Sequence, residues 1–67
     1  MSAAHEIRHE RFWDDRLTAS ENKAVEMALN GFFAWEIAEE MDTSAEVVRV
    51  HLSHARHKGI DVPRLPY

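Results

Sequence analysis

The chain has 67 residues, no cysteine, and 12 Asp and Glu against 8 Lys and Arg. That length suits one small domain with a modest core, stabilised by helix packing or by a second copy of the chain, and the absence of cysteine excludes a disulfide framework or a thiolate metal site. No apolar run approaches the ~20 residues that cross a bilayer, and the start "MSAAHEIRHERF" lacks the apolar core of a secretory signal, so a cytoplasmic protein without membrane contact is expected.

Both prolines lie near the end, which leaves most of the chain free to be helical. Ser2 can cap a first helix through "AAHEIRHERFWDD", with Ile7 and Phe12 or Trp13 as its apolar contacts. Next comes "LTASENKAVEMALNG", where Thr18 and Glu21 fit a capping box and Ala24, Val25, Ala28 and Leu29 recur at helical spacing. Gly31 can adopt the left-handed conformation that ends such a helix. In "FFAWEIAEEM" the apolar side is Ile37, Ala38 and Met41, with Phe32 anchoring the entry. "DTS" reads as a short turn, and Ser44 as the N-cap of "AEVVRVHLSHARHK". Val48, Leu52 and Ala55 form the buried stripe of that helix, and Gly59 stops it. "IDVPRLPY" reads as an extended tail, since proline restricts the residue before it.

Charge is unevenly spread. Residues 1–46 hold 11 acidic against four basic residues, and residues 47–67 hold one against four, so the local net charges are −7 and +3. A polyanion feels the field within a Debye length of about 10 Å rather than the total. The basic segment can therefore meet nucleic acid, although so few cations argue against strong non-specific binding.

Two short helices joined by a three- or four-residue turn form a helix-turn-helix, whose second helix enters the major groove. Ala38 is small where the helices cross, and Ile37, Met41 and Val48 supply their shared core. From Leu17 to Ile60 the sequence resembles LuxR/GerE-type and sigma region 4-like helix-turn-helix domains. The residues that carry the likeness are Leu17, Thr18, Glu21, Gly31, Glu36-Ile37-Ala38-Glu39, Ser44, Val48, Val50-His51, Ser53 and Lys58. A further similarity, to GcrA-like small bacterial regulators, rests on "FWDDR" and "RHKGI". The resemblance implies sequence-specific binding of double-stranded DNA by the helix from Ala45 to Lys58, entered at Ser44. It places Glu46, Val47, Arg49 and Val50 at the groove, and His51, His54, Arg56 and Lys58 nearer phosphates, with Ser53 among the matching positions. These are also the residues that lie off the stripe of Val48, Leu52 and Ala55.

The sequence departs from the family at several points. Asp42 stands where glycine is common in the turn, and Phe33 where Ser or Thr normally caps the first motif helix. Trp35 occupies a position that is usually polar, and the family's dimerising fourth helix has no counterpart in "DVPRLPY". Phe33 and Trp35 are accordingly expected to contact a second subunit or another protein, while Phe12 and Trp13 are expected to complete the core.

His51, His54 and His57 recur every three residues, but their spread around a helix does not converge on one metal, and no metal or cofactor is expected. Catalysis has no support either: no nucleophile-base-acid constellation stands out, and Gly31 and Gly59 cannot make a phosphate-cradling loop. The expected fold is all-α, a three- to four-helix helix-turn-helix domain over residues 17–60, preceded by a helical extension (1–16) and followed by a tail (61–67). The expected function is a small bacterial or phage transcription regulator, a repressor or autoregulator acting as a homodimer. An acidic adaptor that grips RNA polymerase, a sigma factor or another regulator is the alternative, with Trp35 and the acids around it as its contact.

Overall fold

Helices α1 (Ala19–Leu29), α2 (Ala34–Glu40) and α3 (Ala45–His57) make up the regular structure of the computed structural model, which describes residues 7–65. The start of α1 is set by the expected capping box. Thr18 Oγ1 accepts from the Glu21 N–H at 3.1 Å, and Glu21 Oε1 accepts from the Thr18 N–H at 3.0 Å. Phe33 has no side-chain acceptor for the start of α2, and the Glu36 carboxylate reaches back to take the Phe33 N–H at 2.7 Å. Half of a capping box thus survives without its hydroxyl. Ser44 Oγ accepts from the Val47 N–H at 3.2 Å and starts α3.

All three helices end in the same way. The residue after each C-cap has a positive φ: Gly31 at 90°, Asp42 at 54° and Gly59 at 91°. Its N–H, and that of the residue after it, return to carbonyls of the last turn. The pairs are Gly31 to Ala28 and Phe32 to Met27, Asp42 to Glu39 and Thr43 to Ala38, and Gly59 to Arg56 and Ile60 to Ala55. This is the Schellman arrangement, which satisfies carbonyls left over by the helix. Asp42 serves the middle case because a short polar side chain tolerates the left-handed region.

The three helices close over Val25, Ile37, Val48, Leu52, Ala24 and Ala55, each fully buried. Burying each of the larger four contributes about 1.5–3 kcal/mol. The α3 stripe of Val48, Leu52 and Ala55 is as expected, and Ala38 is buried where α2 meets its neighbours.

The N-terminal segment is not the helix expected there. Residues 7–14 are extended and residues 15–17 turn into α1, while the part of that expected helix before residue 7 lies outside the described residues. The segment runs antiparallel along α1, and two α1 side chains and that of its C-cap, spaced four apart, pair with its backbone. Asn22 Oδ1 accepts from the Asp14 N–H at 2.7 Å, and its Nδ2 donates to the Asp14 carbonyl at 2.9 Å. Glu26 Oε2 accepts from the Phe12 N–H at 3.0 Å. Asn30 accepts from the Glu10 N–H at 2.7 Å and donates to the Glu10 carbonyl at 2.9 Å. An extended backbone needs outside partners for its polar groups, and this ladder supplies them where a helix would have used its own. Because alternate residues of an extended segment face opposite ways, Phe12 packs on the core and Trp13 does not. Trp13 is 65% exposed, its Nε1 donating to Asp15 at 2.8 Å, so the expected core role falls to Phe12 alone.

The C-terminal arm also packs on the helices. Val62 is buried in the core, and Ile60 and Leu65 lie against it. Arg56 Nη2 donates to the Pro63 carbonyl at 3.2 Å and fastens the arm to α3.

Candidate nucleic-acid interface

Helix α3 presents three differently equipped sides. Val48, Leu52 and Ala55 face the core. One flank turns toward α1: Lys58 Nζ lies 2.8 Å from Glu21 Oε1, and His54 Nδ1 lies 3.4 Å from Glu21 Oε2. The other flank, with Arg49 and Arg56, turns toward the C-terminal arm. Between the flanks lies an outward face of Glu46, Val50, Ser53 and His57, a set that follows from ~100° of rotation per residue, with the exposed Val47 at its α1-side edge.

The expected site residues are therefore divided. Ser44, Glu46, Val47, Arg49 and Val50 are exposed around the N-terminal half of α3, with Ala45 half-buried beside them. Val47 and Val50 are 40% and 46% exposed, while Val48 between them in the sequence is fully buried. Ser53 and His51 are half-buried. His54 and Lys58, assigned to phosphates by position, have Glu21 as a near partner, and Arg56 is partly engaged with the arm. His57 Nδ1 lies 2.9 Å from the Ser53 carbonyl one turn earlier, while His54 faces Glu21. No group of three His, Cys, Asp or Glu among the described residues could hold a metal ion.

Glu21 is the hub of the α1 flank. It is only 4% exposed, yet it stays charged, because the hydrogen bond from Lys58 and the Thr18 N–H hold its carboxyl down at about 2. Asp14 is likewise lowered to about 2, chiefly by the Arg16 side chain, whose Nη2 donates to it at 2.9 Å. Arg16 Nη1 also donates to the Lys58 carbonyl at 3.2 Å, at the end of α3. Buried and bridged in this way, the acids near α1 contribute less negative field to the outward face of α3 than their number suggests.

Sequence reasoning did not single out Arg64. The arm brings it beside Arg49 and Arg56, and with Leu52 and Leu65 the three arginines line an open cavity of about 450 Å³. The available signal was the apolar pair Val62 and Leu65, which can anchor a tail as well as decorate one.

Phe33, at the N-cap of α2, is half-buried, and Trp35 in its first turn is 55% exposed. Trp35 lies away from the buried side formed by Ala34, Ile37 and Ala38. Among the described residues, no helix is long and apolar enough to cross a membrane.

Comparison with known proteins agrees with this geometry. The family described as bacterial regulatory proteins, luxR family, matches residues 15–58, which run from the turn before α1 to the C-cap of α3. No curated protein and no solved structure matches the chain. Matched over about two thirds of its length, and with helices and turns in place, the chain belongs to the luxR family of bacterial regulatory proteins, a family of DNA-binding transcription regulators rather than enzymes.

Proposed function

We propose that the protein reads a specific duplex DNA site with the outward face of α3 and acts as a small dimeric repressor or autoregulator of bacterial or phage type. The observation that carries this reading is the exposure of Val47 and Val50 around Arg49. Apolar side chains at the N-terminal half of such a helix suit thymine methyl groups, and an arginine on its flank suits a backbone phosphate. Glu46, in the first turn of the helix, can accept from cytosine N4. Phosphate contacts then come from the flanks of α3, and two copies related by symmetry would read half-sites about 34–36 Å apart.

Selection from random duplex DNA at low and moderate salt tests the reading. Enrichment of a palindrome that is lost in Arg49→Ala would support a dimeric reader, whereas no enrichment at either salt would sink it.

The exposed Trp35 supports a second reading, in which the same fold docks on a protein such as RNA polymerase, a sigma factor or another copy of itself. Large aromatic side chains anchor many protein interfaces, and Glu39, one turn on from Trp35, is an exposed acid, as are Glu40 and Asp42 further along.

A further inference from the structure

We infer that Arg64, on the C-terminal arm, completes with Arg49 and Arg56 a three-arginine cleft that grips a backbone phosphate of duplex DNA beside the groove entered by α3. This rests on the reading of α3 as the DNA-facing helix, and extends it to a residue beyond the family match at residues 15–58.

Arg49 and Arg56 are seven residues apart, two helical turns, so they share one flank with Leu52 between them. The arm returns to that flank because Val62 is buried in the core and Arg56 Nη2 holds the Pro63 carbonyl at 3.2 Å. Arg64 and Leu65 thereby become the opposite wall of the cavity. Among the described residues, no ion pair joins any of the three arginines to a carboxylate. Three guanidinium groups around one open space repel one another, and an anion between them removes that cost. Guanidinium forks match phosphate oxygens in geometry and in charge.

Two features favour a nucleic-acid strand over a small anion. At about 450 Å³ the cavity is far larger than a phosphate group, and Leu52 and Leu65 give it apolar walls that suit a sugar. It also opens beside Arg49, next to the exposed Val50, so a strand passing the outward face of α3 reaches it without a break. Contacts of this kind fix the register of a protein on the duplex without reading sequence.

The test uses the full chain and a fluorescently labelled duplex of mixed sequence, since phosphate contacts do not depend on the operator. Binding is followed by anisotropy from low to moderate salt for the unmodified protein, Arg64→Gln, Arg64→Lys and Arg49→Ala. Arg64→Gln is expected to bind about 3- to 10-fold more weakly at low salt, with the salt slope smaller by about one phosphate. Arg64→Lys keeps the slope and loses part of the affinity, and both variants melt with the unmodified protein because Arg64 is exposed. If Arg64→Gln matches the unmodified protein in affinity and slope while Arg49→Ala binds more weakly, the arm is outside the interface and the inference is overturned, although the α3 reading stands. If the unmodified protein binds no duplex, both fall together. Loss of pyrophosphate binding in Arg64→Gln with duplex binding intact would reassign the cleft to a free phosphate compound and likewise overturn the inference.

Discussion

Lys58 Nζ stands 2.8 Å from Glu21 Oε1, which ties the residue that caps α3 to the first turn of α1. The same carboxylate takes the Thr18 N–H and faces His54, so one buried side chain starts α1, anchors the end of α3 and fixes the angle between them. The cation expected to meet DNA at the end of α3 is thereby paired within the chain, although it is itself exposed.

Acid should loosen this junction. The carboxyl of Glu21 lies at about 2 in the folded chain against 4.5 ordinarily, and that of Asp14 at about 2 against 3.8. A depressed carboxyl contributes stability that is complete above its unfolded value and lost as pH falls toward its folded one. The melting temperature should therefore hold near neutrality and drop between about pH 5 and pH 2. Glu21→Gln should melt a few degrees lower at neutral pH and lose part of that acid slope. Melting curves across this range check it, and parallel profiles for the two proteins would rule out Glu21 as a source of the slope.

The ladder along α1 can be taken apart one rung at a time. Asn22 is buried and bonds both the N–H and the carbonyl of Asp14, so Asn22→Ala should cost about 1–3 kcal/mol by leaving them unpaired. Glu26→Ala should release the Phe12 N–H and leave that of Glu10 protected. Urea unfolding gives the first quantity and amide hydrogen exchange the second. Equal loss of protection at Phe12 and Glu10 would mean that the segment detaches as a unit.

Neighbouring valines on α3 should separate stability from binding. Val48 is fully buried, and Val48→Ala should destabilise by about 2 kcal/mol. Val50 is exposed, and Val50→Ala should change stability by less than about 0.5 kcal/mol while weakening binding to a selected DNA site. Thermal melts paired with binding curves decide it. A Val50→Ala protein that binds as before would remove the valines from the proposed readout.

The turn between α2 and α3 makes a sharper prediction. At φ 54°, Asp42→Gly should be neutral or stabilising, whereas Asp42→Val should cost about 1–2 kcal/mol because a branched side chain opposes the left-handed region. Chemical denaturation of the two variants measures the difference, and equal stabilities would show that the turn rearranges.

Trp35→Ala separates the two readings of function. It should leave the melting temperature within a few degrees, because the ring is largely exposed. Under the dimer or adaptor reading it should lower the mass seen by sedimentation or abolish partner capture. A protein unchanged in both would take Trp35 out of any interface.

What was legible in the sequence was local. Thr18 with Glu21, Ser44 before Ala45, Gly31 and Gly59, and the stripe of Val48, Leu52 and Ala55 act within a turn or two of themselves, and each is in its expected place. The N-terminal segment was misread because its partners, Asn22, Glu26 and Asn30, lie 8 to 20 residues away. Polar residues at that spacing look like an ordinary solvated face until something covers them. The pairing of Lys58 and His54 with Glu21 was hidden for a related reason. Helical periodicity tells which residues leave the core stripe, but not which flank the neighbouring helix will take.

The rungs on α1 also impose a ruler. Four helical residues rise about 6 Å, while two extended residues advance about 6.6–6.8 Å. From Asn22 to Asn30 the two scales drift apart by only ~1.5 Å, which side chains can absorb, but each further rung would widen the gap. The pairing is thus a vernier, in register over a short span and self-terminating beyond it. One residue inserted between Phe12 and Asp14 would turn the Phe12 side chain to the opposite side of the segment, away from the core. The segment can drift in composition at its outward positions, but it cannot change its length.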